Sequence, residues 1–165
     1  MSSLRFILSA KRHDHMLRHF GENSLAGSHF NSTMFASPQE LMLFINSNAP
    51  ISTQSHSEKK AAYLFQTKDG RAVGTHGIAS RNTVPTKDIV HEKREGYLLY
   101  IGLVEELPIT TQFCVIAHET DEGLSIITAF PGNYARPFAQ KGQPAKEYAL
   151  NKQFWAEHVL LRKKS

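Results

Sequence analysis

The sequence predicts an α+β fold: N-terminal helices, then an antiparallel β-meander of about four strands, then a C-terminal helix. Three observations carry this. Ser37-Pro38-Gln39-Glu40 opens a helix with an N-cap serine, a proline at the first helical position and a glutamate placed to close a capping box. Residues 97–104, 112–118 and 124–130 are β-rich runs separated by Glu-Glu-Leu-Pro-Ile and Glu-Thr-Asp-Glu-Gly. Residues 145–161 return to a helical pattern, with Tyr148, Phe154, Trp155 and Val159 apolar.

In chain order, residues 4–9 read as a short strand or a first helical turn, and 11–20 as a helix stopped by Gly21. Residues 22–36 are rich in Gly, Ser and Asn and read as a structured loop. The Ser37 helix is expected to bury Leu41, Leu43, Phe44 and Ile45. Residues 46–58, polar and Ser-rich with Pro50, read as a loop. Asp69-Gly70 between Tyr63-Leu64-Phe65 and Arg71-Ala72-Val73 predicts a hairpin. Residues 75–95 read as a long irregular segment, the kind of loop that often carries function. Pairing His118 with Leu124 would set Thr128 opposite Cys114 and put Cys114, Ile116, His118, Ile126 and Thr128 on one face, reversed by a slip of one residue.

A chain of 165 residues fits one domain, here a helical part over 1–49, a sheet-bearing part over 60–136 and a helix over 145–161. The single cysteine, Cys114, excludes an intrachain disulfide framework and a multi-thiolate zinc site. The longest apolar runs fall far short of the ~20 residues of a membrane-spanning helix, so no membrane partner is expected. No secretion signal is expected, because Lys11-Arg12 follows the brief Phe6-Ile7-Leu8 cluster at once. Charge is uneven. Residues 59–94 and 124–165 each sum to +5, whereas 95–123 hold no Lys or Arg and sum to −6. Basic segments either side of an acidic middle suit an anionic ligand such as RNA, with the acidic segment 95–123 turned away or docked on a basic partner; a solvated mixed-charge surface is the plain alternative.

Three segments could carry chemistry. On a helix over 11–20, Arg12, His15 and His19 share one face, which could contact phosphate and move a proton, or could be a solvated face. His15-x-x-x-His19 has zinc spacing, but Met16 stands where a metalloprotease has Glu, and neither metal nor cofactor is expected. Gly74-Thr75-His76-Gly77 followed by Arg81, Lys87, His91, Lys93 and Arg94 offers a titratable group between glycines with cations behind it. RNA cleavage by the neighbouring 2′-hydroxyl needs such a set: a base, an acid and cations or donors for the phosphorane. Thr128-Ala129-Phe130-Pro131-Gly132-Asn133-Tyr134-Ala135-Arg136 offers a hydroxyl, an aromatic ring and a cation close together.

His15-x-x-Arg18-His19, Ser28-x-Phe30, Glu40-Leu41, the basic loop and Thr128-Ala129-Phe130-Pro131-Gly132, spanning most of 13–136, resemble the barnase/EndoU/colicin/RelE-like group of ribonucleases. That group occurs as toxin domains of bacterial polymorphic and contact-dependent systems and in phage proteins. The resemblance implies a small α+β fold with a four-stranded antiparallel sheet and metal-independent cleavage of RNA, often tRNA. The expected site of action is the cytoplasm, reached by delivery from another cell or as a stand-alone effector or phage product; if the chain is a toxin, a cognate inhibitor or immunity protein would dock on the acidic 95–123 segment.

The expected function is therefore a metal-independent endoribonuclease of toxin type. His19 or His76 would be the general acid or base and Thr128 a donor to phosphate. Lys87, Arg94 and Arg136 would hold phosphate charge and Tyr134 would position a base, with His15, Arg18 and Arg81 binding RNA. The alternative is a non-catalytic RNA-binding or protein-interaction module using the same basic surface.

Overall fold

The computed structural model describes residues 5–16, 29–30, 34–57, 59–67, 69–94 and 97–164, with backbone alone at His15, Met16, His29, Ser57, Arg94 and Tyr97. The expected helix over 11–20 is described only to Met16; its remainder, the Gly21 stop and most of the loop over 22–36 lie outside the described residues. In chain order the elements are β1 (Phe6–Ile7), α1 (Ala10–Met16), β2 (His29–Phe30), α2 (Pro38–Ser47), β3 (Ser52–Ser57) and β4 (Lys60–Gln66). Next come β5 (Gly74–Thr75), β6 (Ile78–Ser80), β7 (Ile89–Arg94), β8 (Tyr97–Val104), β9 (Ile109–Thr110) and β10 (Gln112–Thr120). The chain closes with β11 (Gly123–Pro131), α3 (Ala145–Glu157) and β12 (His158–Lys163).

The protein is mostly β, which overturns the expected α+β meander. Among the described residues the strands form three sheets: a five-stranded one ordered β1-β11-β10-β4-β3, a four-stranded one ordered β6-β12-β8-β7 and a three-stranded one ordered β2-β5-β9. The four-stranded antiparallel sheet implied by the ribonuclease resemblance is not found among the described residues: the sheet that carries Thr128 has five strands, and β1 joins it in parallel. The described chain forms two compact units, Met1–His76 with Ile109–Tyr134, and Gly77–Pro108 with Ala135–Ser165. No described helix is long and apolar enough to cross a membrane.

The first unit is built on β10, flanked by β4 and β11. One face of its sheet carries Tyr63, Phe65, Phe113, Val115, Ala117, Ile126 and Ala129 into a core with Phe6, Phe30, Phe35, Leu41 and Ile45. The Ser37 helix, α2, starts as expected. Ser37 Oγ accepts from Glu40 N at 3.4 Å, while the Glu40 carboxylate accepts from the backbone N–H of Ala36, one residue before the cap. Of its four expected core residues, Leu41 and Ile45 are buried and Phe44 packs against the core, but Leu43 is 71% exposed. Asn46 on α2 binds β1 as a strand edge would: its Oδ1 accepts from Phe6 N (2.8 Å) and its Nδ2 donates to Phe6 O (3.1 Å).

Five further expectations change. The loop over 46–58 contains β3, a polar edge strand whose register with β4 shifts between Ser55 and Ser57. The Asp69-Gly70 hairpin is absent, because β4 pairs with β3 and β10, and Arg71–Val73 form no strand. The irregular segment 75–95 contains β6 and β7, and β8 pairs with β7 and β12 rather than β10. Apolar at nearly every position, β8 is suited to a central strand covered on both faces, and Leu99 and Ile101 are fully buried. The C-terminal helix ends at Glu157, and residues 158–161, with alternating burial of Val159 and Leu161, begin β12.

Candidate active site

The opposite face of the five-stranded sheet gathers the polar groups. Cross-strand partners share a face, so the register writes that face in rows. Thr128, Ile116, Ala62 and Gln54 make one row, Phe130, Cys114, Leu64 and Ser52 a second, and Ser125, His118 and Lys60 a third. Between the first and third rows the β10–β11 register shifts at Ile116/Ala117. That bulge explains a difference from the expected face. Cys114, Ile116, His118 and Thr128 do share it, but His118 pairs with Ser125 and Thr128 with Ile116, and Ile126 turns into the main core. Glu119, next along β10, pairs with Leu124 on the core face, where burial and then the Glu119 charge raise the Tyr63 phenol above its ordinary range.

Ala62, Cys114 and Ile116 form an apolar floor on this face, with Ile127, Phe130 and Tyr134 packed against it. Burial pushes the Cys114 thiol up to about 12, which makes it a packing group rather than a nucleophile. Tyr134 meets His56 edge to face, with ring centroids 5.7 Å apart. The Tyr134 hydroxyl and His56 Nδ1 are both shielded from solvent. His56 occupies the β3 register shift and is half-buried, next to the residue that pairs with Lys60. Tyr134 is delivered by the turn that follows β11. Gly132 takes φ +108° there, its N–H donates to Gln112 O (2.8 Å), and a Cβ built on it would come 2.6 Å from the His76 Cβ.

The structure thus brings Thr128 and Tyr134 to one face and places His76 beside the same turn, beyond the last residue of β11. It adds His56 and Lys60, to which the sequence alone assigns no role, and it keeps His118 on the face where the sequence put it. Thr128 lies across from Ile116 on the face that carries the apolar floor and is half-buried; its hydroxyl is a group that can donate to an anion. An imidazole on either side of a lysine, a threonine hydroxyl and a phenol are groups that can move protons and hold a phosphate.

The other expected site residues divide. His15 lies on α1 with only its backbone described, and Arg18 and His19 lie outside the described residues. Arg81, Lys87, Arg94 and Arg136 belong to the second unit. There the Arg81 guanidinium lies 4.7 Å from the Tyr100 ring centre, Lys87 is exposed, and Arg94 ends β7 opposite Tyr97. Arg136 Nε donates to buried Asn151 Oδ1 at 2.8 Å, and its carbonyl accepts from Trp155 Nε1 at 3.0 Å, so this arginine ties its segment to α3. The acidic 95–123 segment is also divided. Glu105 and Glu106 lie in the second unit and face Lys164 (3.5 Å) and Lys163 (3.8 Å), whereas Glu119, Asp121 and Glu122 lie in the first.

No family model matches the chain, and no curated protein matches it. A crystal structure of a conserved hypothetical protein from Toxoplasma gondii ME49 is similar over 98% of this chain and 96% of that one, with a TM-score of 0.54 and 11% sequence identity. At that identity the likeness is one of fold.

Proposed function

We propose that this chain is a metal-independent endoribonuclease that cleaves RNA by attack of a 2′-hydroxyl on the adjacent phosphate, with its site on the outer face of the five-stranded sheet. The observation that carries the reading is the register that sets Thr128, His118 and Lys60 on one face, with Tyr134 packed against the same face. Such a site needs an acid, a base and groups to hold phosphate charge, and this face supplies imidazoles, an ammonium and a hydroxyl. Thr128 donates to a phosphate oxygen and Lys60 neutralises it. Tyr134 departs from its expected role of stacking on a base, because its hydroxyl is shielded and its ring is engaged with His56. The reading retains the chemistry of the ribonuclease resemblance and none of its sheet topology.

The test is incubation of the purified protein with total RNA in EDTA, resolved on a denaturing gel, with fragment ends analysed. Discrete fragments ending in 2′,3′-cyclic phosphate are expected, and Thr128→Val should slow their appearance. His19→Ala and His76→Ala run alongside, because the sequence points to both. RNA left intact by the wild-type protein overturns the reading, and RNA bound in a salt-dependent manner but left intact establishes the binding module instead.

A further inference from the structure

Cleavage by a 2′-hydroxyl moves two protons: one leaves the attacking oxygen and one arrives on the departing oxygen. Resting on the ribonuclease reading above, we infer that His118 and His56 are the two residues that exchange these protons, with Lys60 between them on the phosphate and Tyr134 as the positioning residue of His56.

Three adjacent strands set the line. His118 on β10 is the direct cross-strand partner of Lys60 on β4, and Ser57 on β3 is the partner of Lys60 on its other side. His56 precedes Ser57 at the register shift, which frees it from strict alternation. Its ring meets Tyr134, a member of the cluster that covers the outer face, so His56 comes to the face that holds His118. The backbones of β3 and β10 lie two strand spacings apart, roughly 9–10 Å, and a phosphate held by Lys60 fits between two imidazoles reaching in from either side. His13, another imidazole of the first unit, is engaged on α1 and α2, 2.9 Å from the Gln39 amide nitrogen and 3.8 Å from Asp14. His76 lies beyond the end of β11, against Gly132. A bulge in a polar edge strand, with its one aromatic side chain turned onto a tyrosine, re-aims that side chain toward a site.

The step balances within the substrate and the two rings. One imidazole takes the 2′-hydroxyl proton while that oxygen bonds to phosphorus. The P–O5′ bond breaks as the other, protonated, imidazole gives its proton to O5′. The products are a 2′,3′-cyclic phosphate and a 5′-hydroxyl, and the exchanged proton returns through water.

The experiment compares wild type, His56→Gln, His118→Gln and Tyr134→Leu, with His56→Asn and His118→Asn as second variants, on two substrates: a short RNA, and uridine 3′-(4-nitrophenyl phosphate), whose leaving group needs no acid. Thermal unfolding checks that each variant folds. His56→Gln and His118→Gln should each slow RNA cleavage by roughly 10²–10⁴-fold. Only one of the two, the acid, should recover on the aryl ester, and each variant should lose one limb of a bell-shaped pH–rate profile. Tyr134→Leu, which removes the ring that His56 meets, should shift the limb belonging to His56. The inference fails if a folded His56 or His118 variant cleaves RNA at the wild-type rate, or if neither variant recovers on the aryl ester. Should the wild type cleave neither substrate, the ribonuclease reading itself falls and this inference falls with it.

Discussion

Gly132 sits directly beneath His76: a Cβ on Gly132 would stand 2.6 Å from the His76 Cβ, closer than carbon atoms pack, and the glycine holds φ at +108°. Both conditions exclude a side chain. Gly132→Ala should cost about 1–3 kcal/mol from backbone strain alone, and more from the displaced imidazole. Urea unfolding measures the loss. Gly70→Ala is the control, because Gly70 also has positive φ (+66°) but nothing within 4 Å of where the alanine methyl group would stand, so only the backbone contribution remains. Since Gly132 leads to Tyr134, its variant should also slow RNA cleavage, whereas Gly70→Ala should not.

The sequence assigns Arg136 to phosphate, and its bond to Asn151 gives it a different task. Asn151 is 1% exposed; its Oδ1 accepts from Arg136 Nε and its Nδ2 donates to Gln143 Oε1 at 3.2 Å. Arg136→Ala leaves a buried carbonyl oxygen without that donor, which should cost roughly 1–3 kcal/mol. Chemical unfolding should register that loss. The salt dependence of RNA binding should stay as in wild type, and a flatter dependence would return Arg136 to the phosphate-binding set.

Lys60 makes the opposite pair of predictions. It is exposed at the start of β4 opposite His118, where its removal disturbs little packing. Lys60→Ala should leave the unfolding midpoint nearly unchanged. Loss of one phosphate contact should flatten log K against log salt for single-stranded RNA by about 0.7. Fluorescence titrations across a salt series read that slope, and an unchanged slope would remove Lys60 from the phosphate site.

The parts of the fold legible in the sequence are those where one local signal decides the outcome. The Ser37-Pro38-x-Glu40 start of α2 needs only capping geometry, and the β10–β11 hairpin needs only two apolar runs and an Asp121-Glu122-Gly123 turn. The parts that escape such reading are decided by distant partners. β3 reads Ser-Thr-Gln-Ser-His-Ser, which has no apolar alternation because both its faces are largely exposed at a sheet edge, so the sequence resembles a loop. β8 has the composition of a strand, but only its pairing with β12, more than fifty residues on, places it in another sheet. The site follows the same division. Thr128 and Tyr134 stand in a strand-turn signature that is visible locally. His56 and Lys60 lie in and beside a strand with no such signature; His118 meets Lys60 only through the β10–β4 register, and His56 sits at the bulge of β3.

Cys114 gives a prediction that depends on burial alone. Its thiol is fully enclosed, and burial pushes its pKa from the ordinary 9.0 up to about 12. The folded protein therefore keeps the thiol proton where the unfolded chain releases it. This contribution to stability is fully present below pH ~9 and is lost progressively as pH rises toward the folded value. At pH 10.5 the loss should be about 2 kcal/mol relative to pH 8, from 1.36 kcal/mol per unit over the part of the window crossed. Cys114→Ala lacks this titration, so the difference in its unfolding free energy between the two pH values should be smaller than in wild type by about that amount. The native thiol should also resist alkylation at pH 8 until urea unfolds the chain, and Cys114→Ala, once shown to fold, should still cleave RNA. Rapid alkylation of the folded protein, or loss of cleavage in a folded Cys114→Ala, would make the thiol a participant rather than part of the floor beneath the site.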